Sequence, residues 1–476
     1  MLQIFDTLAK EKRPFKPVRR GRVHIYNCGP TVYSYAHIGN LRSFLFADLL
    51  RRLLDRQGYQ VTQVMNLTDV GHMLADADVG EDKLEYAAAK EGKTPQQVAD
   101  HYAEAFFKDI DALGVRRAHV YPRASQHVPE MIAIIAKLLA NGHAYQVQEN
   151  GGTSVYYDVA TFPAYGKLSG NTIENLDPGA RIEVRQEKKH PADFALWIFN
   201  PKHVMQWEAP WGKGYPGWHI ECSAMSMKYL GDTLDIHTGG EDNKFPHHEC
   251  EIAQSEGATN QPFAKYWLHV THLLVDGEKM SKSKGNFFTV GELQAKGYAP
   301  REVRYLLLSA HYRQQLNFTF SGLDAARGAL KRLDDFADAL KHAAVEGAGR
   351  PAAHGRKAMS AVEAALGDDF NAAEAWAQAF EYVRLMNEKM AAGKLTERDR
   401  LSALQLLAGL GDIFGFQFGQ DIDYADLAPS TQALIEKRDE ARREKRFAES
   451  DRLRDELKAK GIVVEDTPEG KRIKRA

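Results

Sequence analysis

Val23-His-Ile-Tyr-Asn-Cys-Gly-Pro-Thr-Val-Tyr-Ser-Tyr-Ala-His-Ile-Gly-Asn-Leu-Arg-Ser-Phe-Leu-Phe-Ala-Asp48 decides the fold class. Val23, Ile25 and Tyr26 suit a short buried strand, Gly29 and Pro30 break it, and Leu41, Leu45, Leu49 and Leu50 recur at helical spacing from Asn40 onward. Strand, loop and helix N-terminus in that order form a phosphate-binding corner, because unpaired helix N–H groups and the positive end of the helix dipole face the anion. Cys28 falls at the carboxyl end of the strand, where ligands of open α/β sheets collect. His37 and Asn40 flank Gly39, whose missing Cβ admits a base or ribose against the backbone. The stretch predicts an α/β fold with a nucleotide corner.

Outward from that corner, Gln60–Met65 reads as a second strand, and it leads into Asn66-Leu-Thr-Asp-Val-Gly-His72. Thr68 and Asp69 then lie either at the same carboxyl edge or in a helix cap or turn. Asp82 to about Leu113 is rich in helix formers, Val128–Asn141 is a helix ending at Gly142, and Ser154–Asp158 is a short strand. Ala75 to His190 reads as an insertion between two halves of one sheet, and nothing in it has catalytic spacing.

A second informative region follows: Pro216-Gly-Trp-His-Ile-Glu-Cys222, Leu234-Asp-Ile-His-Thr-Gly-Gly240 with Glu241 and Asp242, and Phe245-Pro-His-His-Glu-Cys-Glu251. Leu234–His237 alternates like a strand, and Pro246 suits the first turn of a helix starting near it. Such a helix sets His247 and Glu251 four residues apart on one face. With Cys28 and Cys222 they would make a Cys/Cys/His/Glu site of the type zinc accepts, tying the two halves of the fold together. His248, Glu249 and Cys250 compete as ligands, Cys250 least well because it lies about 100° around the helix from Glu251. The bland alternative is that all three cysteines of the chain are small buried hydrophobes.

His269–Val275 is strand-like, and Asp276-Gly-Glu-Lys-Met-Ser-Lys-Ser-Lys-Gly-Asn286 places Lys279, Lys282 and Lys284 in a loop that cannot bury its charges. Such a run is either a solvated turn or a mobile clamp that closes on polyphosphate. After Arg301 the apolar pattern is helical and uninterrupted by strands: 325–344, 358–366, 372–391 and 397–410 predict a bundle. A last helix over Ser430–Lys460 stops at Gly461, and Ile462–Val464 is a strand. From Thr431 to Ala476 there are 14 Lys/Arg against 11 Asp/Glu, so the tail is mildly basic.

Bulk properties set the limits. A chain of 476 residues is expected to divide into about two to four domains, since single cores stop growing near roughly 250 to 300 residues. A net charge of −2 excludes a protein that coats nucleic acid non-specifically but leaves room for a local RNA-binding surface. Three scattered cysteines are too few for a disulfide framework. Met1–Phe15 lacks the apolar core of a signal peptide and no later stretch approaches a membrane span, which predicts a cytoplasmic protein.

His37-Ile-Gly-Asn40 and Lys279-Met-Ser-Lys-Ser283 together resemble the two signature motifs of class I aminoacyl-tRNA synthetases. Cys28-Gly-Pro-Thr-Val-Tyr, Pro216-Gly-Trp-His-Ile-Glu-Cys222, Phe245-Pro-His-His-Glu-Cys-Glu251, Asp368-Asp-Phe-Asn371, Asp455-Glu-Leu and Glu465-Asp-Thr-Pro resemble the cysteinyl-tRNA synthetase family in particular, over nearly the whole chain. The resemblance implies a Rossmann-type catalytic domain in two halves, 1–74 and 191–290, around an inserted connective domain, 75–190. A stem-contact region at 291–324, a helical tRNA-binding bundle at 325–425 and a small mixed α/β anticodon-binding unit at 426–476 would follow. The implied activity is ATP-dependent conversion of L-cysteine to cysteinyl-adenylate and its transfer to tRNA(Cys), by a monomer with no membrane association. Implied cofactors are one Zn²⁺ per chain, on Cys28, Cys222, His247 and Glu251, and Mg²⁺ with ATP.

By the same resemblance, His37, Asn40, Lys279 and Lys282 handle the phosphates, with Gly39, Gly240 and Asp242 at the rest of the nucleotide. Gly29, Thr68 and Trp218 bind the amino acid. The chain departs from the family pattern at Asn40, where many class I enzymes carry a second histidine, and at Ile473, where the family often has a tryptophan suited to stacking on a base. A ligase joining cysteine to an amino sugar through the same adenylate is the nearest rival; the bundle and the tail argue against it. A non-catalytic RNA-binding relative predicts decay of His37, Gly39, Lys279 and Lys282, all of which are present.

Overall fold

β1 (Gln3–Asp6) and β2 (Glu11–Pro14) pair antiparallel ahead of β3 (Arg22–Asn27), α1 (Ile38–Arg56) and β4 (Gln60–Met65), which form a parallel βαβ unit. This computed structural model describes residues 2–70, 82–149, 151–171, 188–281, 285–345, 353–419, 429–460, 462–467 and 470–475, and singly 347, 424 and 427. The run of helix formers from Asp82 makes two helices, α2 (Lys83–Glu91) and α3 (Pro95–Ala112): Gly92 closes the first at φ 63, and Thr94 caps the second ahead of Pro95. After α4 (Val128–Ala140) come β5 (Ala144–Glu149), β6 (Gly152–Tyr157), β7 (Phe194–Ile198) and β8 (Tyr215–Pro216), one antiparallel sheet in that order. α5 (Ile220–Leu230), β9 (Leu234–Gly240), α6 (Glu249–Thr259) and β10 (Ala264–Val270) follow.

The segment expected as one strand from His269 to Val275 is two, since the chain leaves the sheet after β10 and re-enters as β11 (Leu273–Val275), which pairs with β12 (Glu278–Lys279). After α7 (Val290–Ala295) and α8 (Pro300–Ser309), a strand the helical pattern concealed, β13 (Leu316–Phe318), pairs parallel to β11. The bundle is α9 (Phe320–His342), α10 (Ala353–Gly367), α11 (Ala372–Ala391) and α12 (Glu397–Phe414). The expected single tail helix is α13 (Pro429–Arg443) and α14 (Phe447–Ala459), separated by a turn in which Lys445 takes φ 58, and a hairpin of β14 (Ile462–Thr467) and β15 (Gly470–Arg475) ends the chain.

The main sheet runs β10-β9-β3-β4, all parallel. β3 leads to β4 on one side and β9 leads to β10 on the other, so the strand order reverses between β3 and β9. That reversal opens a crevice at the carboxyl ends, the place where such sheets bind ligands. Leu234 through Gly239 of β9 are all buried rather than alternating, because β9 is interior to the sheet and covered on both faces.

One hydrophobic cluster runs from Val23 and Ile25 through α1 and α8 into the bundle at Leu323, Trp376, Leu410 and Phe416. The bundle therefore shares a core with the main sheet. Asp48, 1% exposed, fastens the joint: it accepts Arg52 Nε at 2.8 Å and Arg304 Nη2 at 2.5 Å, while Arg304 Nε also binds Phe414 O. A second cluster joins α4, α5, α6 and the antiparallel sheet, and a small separate one holds Ile435, Leu457, Ile462, Val464 and Ile473 of the tail.

Candidate functional site

A cleft of about 440 Å³ opens at the β3/β9 reversal. Cys28, Gly29, His37, Gly39, Asn40, Thr68, Trp218, Cys222, Gly240, Asp242, His247 and Lys279 all line it. Glu251 lies 0% exposed beneath them, and Lys282 lies outside the described residues.

The outer end is the nucleotide corner. His37 is the N-cap of α1: its Nδ1 accepts Gly39 N–H at 3.1 Å and Asn40 N–H at 3.2 Å, and Asn40 Oδ1 accepts His37 N–H at 3.3 Å. With Nδ1 occupied as an acceptor, the neutral ring carries its proton on Nε2 and is a donor there. Asn40, with its oxygen engaged, offers its N–H₂ group to the cleft. The close packing of Gly39 has a local cause, since a Cβ there would stand 2.9 Å from His37 Nδ1 and 3.0 Å from Met280 Cε. Met280 belongs to the lysine motif, and Ile38 N–H donates to Phe288 O at 3.0 Å just beyond it, so the two distant motifs meet. Lys279, exposed at the end of β12, closes this end of the cleft.

The inner end is a nest of metal-type donors. Pro246 lies in a wide π-type turn, Lys244–His248, rather than in the first turn of α6, yet His247 Nε2 still comes to 3.1 Å from Glu251 Oε1. Cys28 Sγ is 3.8 Å from the same oxygen. The donor atoms of Cys28, Cys222, His247 and Glu251 all lie within 4.8 Å of one another. A tetrahedral zinc with bonds of about 2.0 to 2.3 Å holds its donors about 3.3 to 3.8 Å apart, so the quartet is of a size and chemistry that fits it. Cys28, His237, His248 and Glu251 make a second quartet that shares two members. Cys28, Cys222 and His247 line the cleft, whereas His237 and His248 do not, so the first quartet opens on the cleft with three of its members and the second with Cys28 alone.

His237 and His248 support the first quartet from behind. His237 Nε2 holds Glu251 Oε2 at 2.9 Å, and His248 Nε2 stands 3.2 Å from Cys28 Sγ. His248 Nδ1 is 2.8 Å from His269 Nε2, whose Nδ1 is 2.9 Å from Thr7 Oγ1. One consistent set of donors runs Thr7 hydroxyl, His269, His248, Cys28. His219 Nδ1 touches His247 Nδ1 at 2.9 Å, and Trp218 stacks on His247 with centroids 4.4 Å apart. Ligand histidines are usually held through their second nitrogen in this way.

Within the nest the ionisable groups set one another's charge. Burial pushes the Glu251 carboxyl up, but the charges of His237 and His247 outweigh it and hold it at about 2. Burial pushes His247 down, and Glu251 and Cys222 reverse that to about 10. Burial likewise opposes a Cys222 thiolate, yet hydrogen bonding from Cys28 and the charge of His247 bring the thiol to about 6. Burial raises Cys28 well above its usual range, with Cys222 and Glu251 adding to it. His248 and His269 are kept neutral by burial.

Of the competing ligands, Cys250 faces Tyr165, with Sγ 3.5 Å from its hydroxyl, and Glu249 accepts Ser169 N–H at 2.9 Å. Neither joins the nest. Between the two ends of the cleft, Gly29 N–H donates to Asn66 Oδ1 at 2.8 Å, and a Cβ on Gly29 would fall 1.8 Å from Asn66 O. Gly240 N–H donates to Asn243 Oδ1 at 3.0 Å, which shapes the turn carrying Asp242. Sequence reasoning missed Asn66, His219, His237 and His269: His237 and His269 stand in buried strand positions that core packing explains equally well, and Asn66 and His219 stand outside helix and strand, where no spacing marks them.

Two tail-side motifs have structural employment. Asp369, 0% exposed, accepts Phe5 N–H at 2.8 Å, the Tyr312 hydroxyl at 2.7 Å and Arg313 Nε at 2.8 Å, and Asn371 caps α11. Ile473 pairs with Val464 across the final hairpin and is 5% exposed within the tail core, so it presents no face to a base. Among the described residues no helix is long and apolar enough to cross a membrane.

Residues 14–328 match the family model described as tRNA synthetases class I (C) catalytic domain, 361–419 the DALR domain, and 425–473 the cysteinyl-tRNA ligase anticodon binding domain. A cysteine–tRNA ligase of Carboxydothermus hydrogenoformans is 44% identical over 479 residues, covering 100% of both chains. One of Thermus thermophilus is 45% identical over 487 residues, covering 99% of this chain and 98% of the other. Among solved structures, Mycobacterium tuberculosis methionyl-tRNA synthetase bound by methionyl-adenylate superposes with a TM-score of 0.60 at 14% identity, covering 86% of this chain and 95% of that one, a likeness of fold.

Proposed function

The chain belongs to the cysteinyl-tRNA ligase family, class I synthetases that are ATP-dependent ligases, and we propose that it activates L-cysteine and esterifies tRNA(Cys) by recognising the substrate thiol at zinc. The observation that carries this reading is the convergence of Cys28, Cys222, His247 and Glu251 at the inner end of a cleft whose outer end is formed by both phosphate-handling motifs. Zinc on those four donors supplies a thiophilic Lewis acid that favours a thiolate over a hydroxyl and lowers thiol pKa. A site that demands such a bond rejects serine far beyond the roughly 100-fold that pocket shape alone gives small analogues.

The protein groups then have the following parts. The Gly29 backbone and Thr68 hold the amino group and main chain of cysteine, and Trp218 walls the pocket. The substrate carboxylate, already ionised near neutral pH, attacks the α-phosphate of ATP and displaces pyrophosphate, so no general base is needed and the rate comes from positioning and charge stabilisation. His37 Nε2–H and the Asn40 amide donate to phosphate oxygens as negative charge accumulates. Lys279 and Lys282 hold the departing pyrophosphate, with Mg²⁺ accompanying ATP, and Gly240 and Asp242 face ribose and adenine. The acyl group then passes to the terminal adenosine of the tRNA.

We assign stem contact to 291–324, further tRNA contact to the bundle at 325–425 and anticodon reading to 426–476, in a monomer acting in the cytoplasm around catalytic halves 1–74 and 191–290 and the insertion 75–190. With Ile473 inside the tail core, base recognition falls to polar and basic groups of the tail rather than to aromatic stacking there. The test is cysteine-dependent exchange of labelled pyrophosphate into ATP with serine as control, followed by acylation of total tRNA. Exchange with cysteine alone plus acylated tRNA is the expected result. Exchange without acylation would replace this reading with the amino-sugar ligase, and no exchange by zinc-loaded protein would overturn it.

A further inference from the structure

Glu221 stands in the first turn of α5, beside Cys222, and is 0% exposed. Its Oε2 accepts the Thr68 hydroxyl at 2.9 Å, while Oε1 is buried with no hydrogen-bond partner among the described residues. No lysine or arginine among the described residues pairs with it; the ionisable groups that face it are Cys222, Asp69 and His247. A buried carboxylate with an idle oxygen and no paired base is costly to keep, which makes a purely structural part a poor explanation.

Its consequence is read at Thr68. Thr68 Oγ1 accepts Asn66 Nδ2 at 3.0 Å and gives its one proton to Glu221. A hydroxyl has one proton and two lone pairs, so a single lone pair remains, on a residue that lines the cleft. An oxygen in that state can only accept. A proton resting on Oε1 of Glu221 would leave Oε2 an acceptor and change nothing at Thr68. The first turn of α5 also sets the carboxylate at the positive end of the helix dipole.

We propose that Glu221 is a positioning residue for the amino group of the amino-acid substrate: by taking the Thr68 proton it fixes Thr68 Oγ1 as an acceptor for an α-ammonium. This rests on reading Thr68 as part of the cysteine pocket. The inner end of the cleft then grips the substrate at two chemically separate points, sulfur at the metal donors and ammonium at Thr68. Cysteine meets both, whereas 3-mercaptopropionate, which keeps thiol and carboxylate but lacks the amine, meets only the first.

The test compares those two molecules on zinc-loaded enzyme. Glu221→Met, similar in volume without an acceptor, is expected to raise KM for cysteine about tenfold at unchanged zinc content and unchanged KM for ATP. Inhibition by 3-mercaptopropionate should shift by less than about twofold, and Glu221→Gln, whose amide oxygen can still accept, should recover most of the cysteine affinity. Thr68→Val should reproduce the selective loss, and it serves where Glu221→Met does not fold. Equal weakening toward both molecules, zinc loss in parallel, or wild-type KM in Glu221→Met would overturn the inference while leaving the function in place. A wild-type protein with no cysteine-dependent exchange would overturn the function itself.

Discussion

The floor of the cleft and the C-terminal unit are both dense in charge, but they hold it differently. In the floor, Glu251 is 0% exposed between His237 at 2.9 Å and His247 at 3.1 Å, with His247 held in turn by His219. In the tail, a small apolar cluster around Ile435, Leu457 and Ile473 makes the core, and most charges pair near the surface, as Arg446 does with Glu449 and Lys471 with Asp439. Buried charge that loses a partner is strongly destabilising, whereas exposed pairs contribute about 0–1 kcal/mol. Substitutions should therefore separate the two regions by orders of magnitude.

The sharpest break is Cys222→Ser, which should abolish bound zinc and lower cysteine-dependent exchange about 1,000-fold together, since ligand loss exceeds the 10- to 100-fold typical of supporting residues. Normal activation in that variant would remove the metal from recognition. Lys282→Ala should lower adenylate formation about 100-fold with zinc content intact; parallel loss of metal would mean that the loop belongs to the floor rather than to the phosphate end. His248→Leu separates the two donor quartets. As a support for Cys28 it should weaken zinc affinity about tenfold, read by competition with a chelator, and a loss matching Cys222→Ser would make His248 a ligand.

The smallest effect belongs to the tail. Asp338 of α9 is the point where the final hairpin docks, accepting Arg472 at 2.6 Å and Lys474 at 2.7 Å. Burial pushes its carboxyl up, but Lys474 and Arg472 outweigh that and hold it below its ordinary value. A carboxyl lowered in the folded state contributes stability that is complete above its unfolded value, about 3.9, and is lost as pH falls through the lower folded value. Hydrogen-exchange protection of β15 should thus stay constant from neutral pH to about pH 5 and fall only below about pH 4. Asp338→Asn should abolish that step, raise KM for tRNA by about twofold and leave cysteine activation unchanged.

What could be read beforehand divides along the same line. β4 and α11 have their expected limits because strand alternation and helical spacing are local signals. The break between β10 and β11 was hidden, since apolar residues continue through it and only the strands' separate pairings interrupt it, and at Lys445 a run of helix formers conceals the turn; the break at Gly92-Lys-Thr-Pro95 is local, a glycine C-cap followed by a threonine N-cap. Cys28, Cys222, His247 and Glu251, which the structure brings within 4.8 Å of one another, could be named as candidate donors because cysteine, histidine and glutamate at those positions have few joint uses. His237 and His269 could not, because a histidine in a buried strand carries no mark of which side chain on another element it will touch. Glu221 was concealed for the same reason: its meaning lies in the Thr68 hydroxyl, 153 positions distant.

The most direct measurement of thiol recognition is zinc K-edge X-ray absorption of the purified protein with and without L-cysteine. Two sulfur ligands at about 2.3 Å, from Cys28 and Cys222, are expected in the free protein, and a third should appear with cysteine but not with serine. An unchanged sulfur shell on saturation with cysteine would contradict recognition of the thiol at the metal.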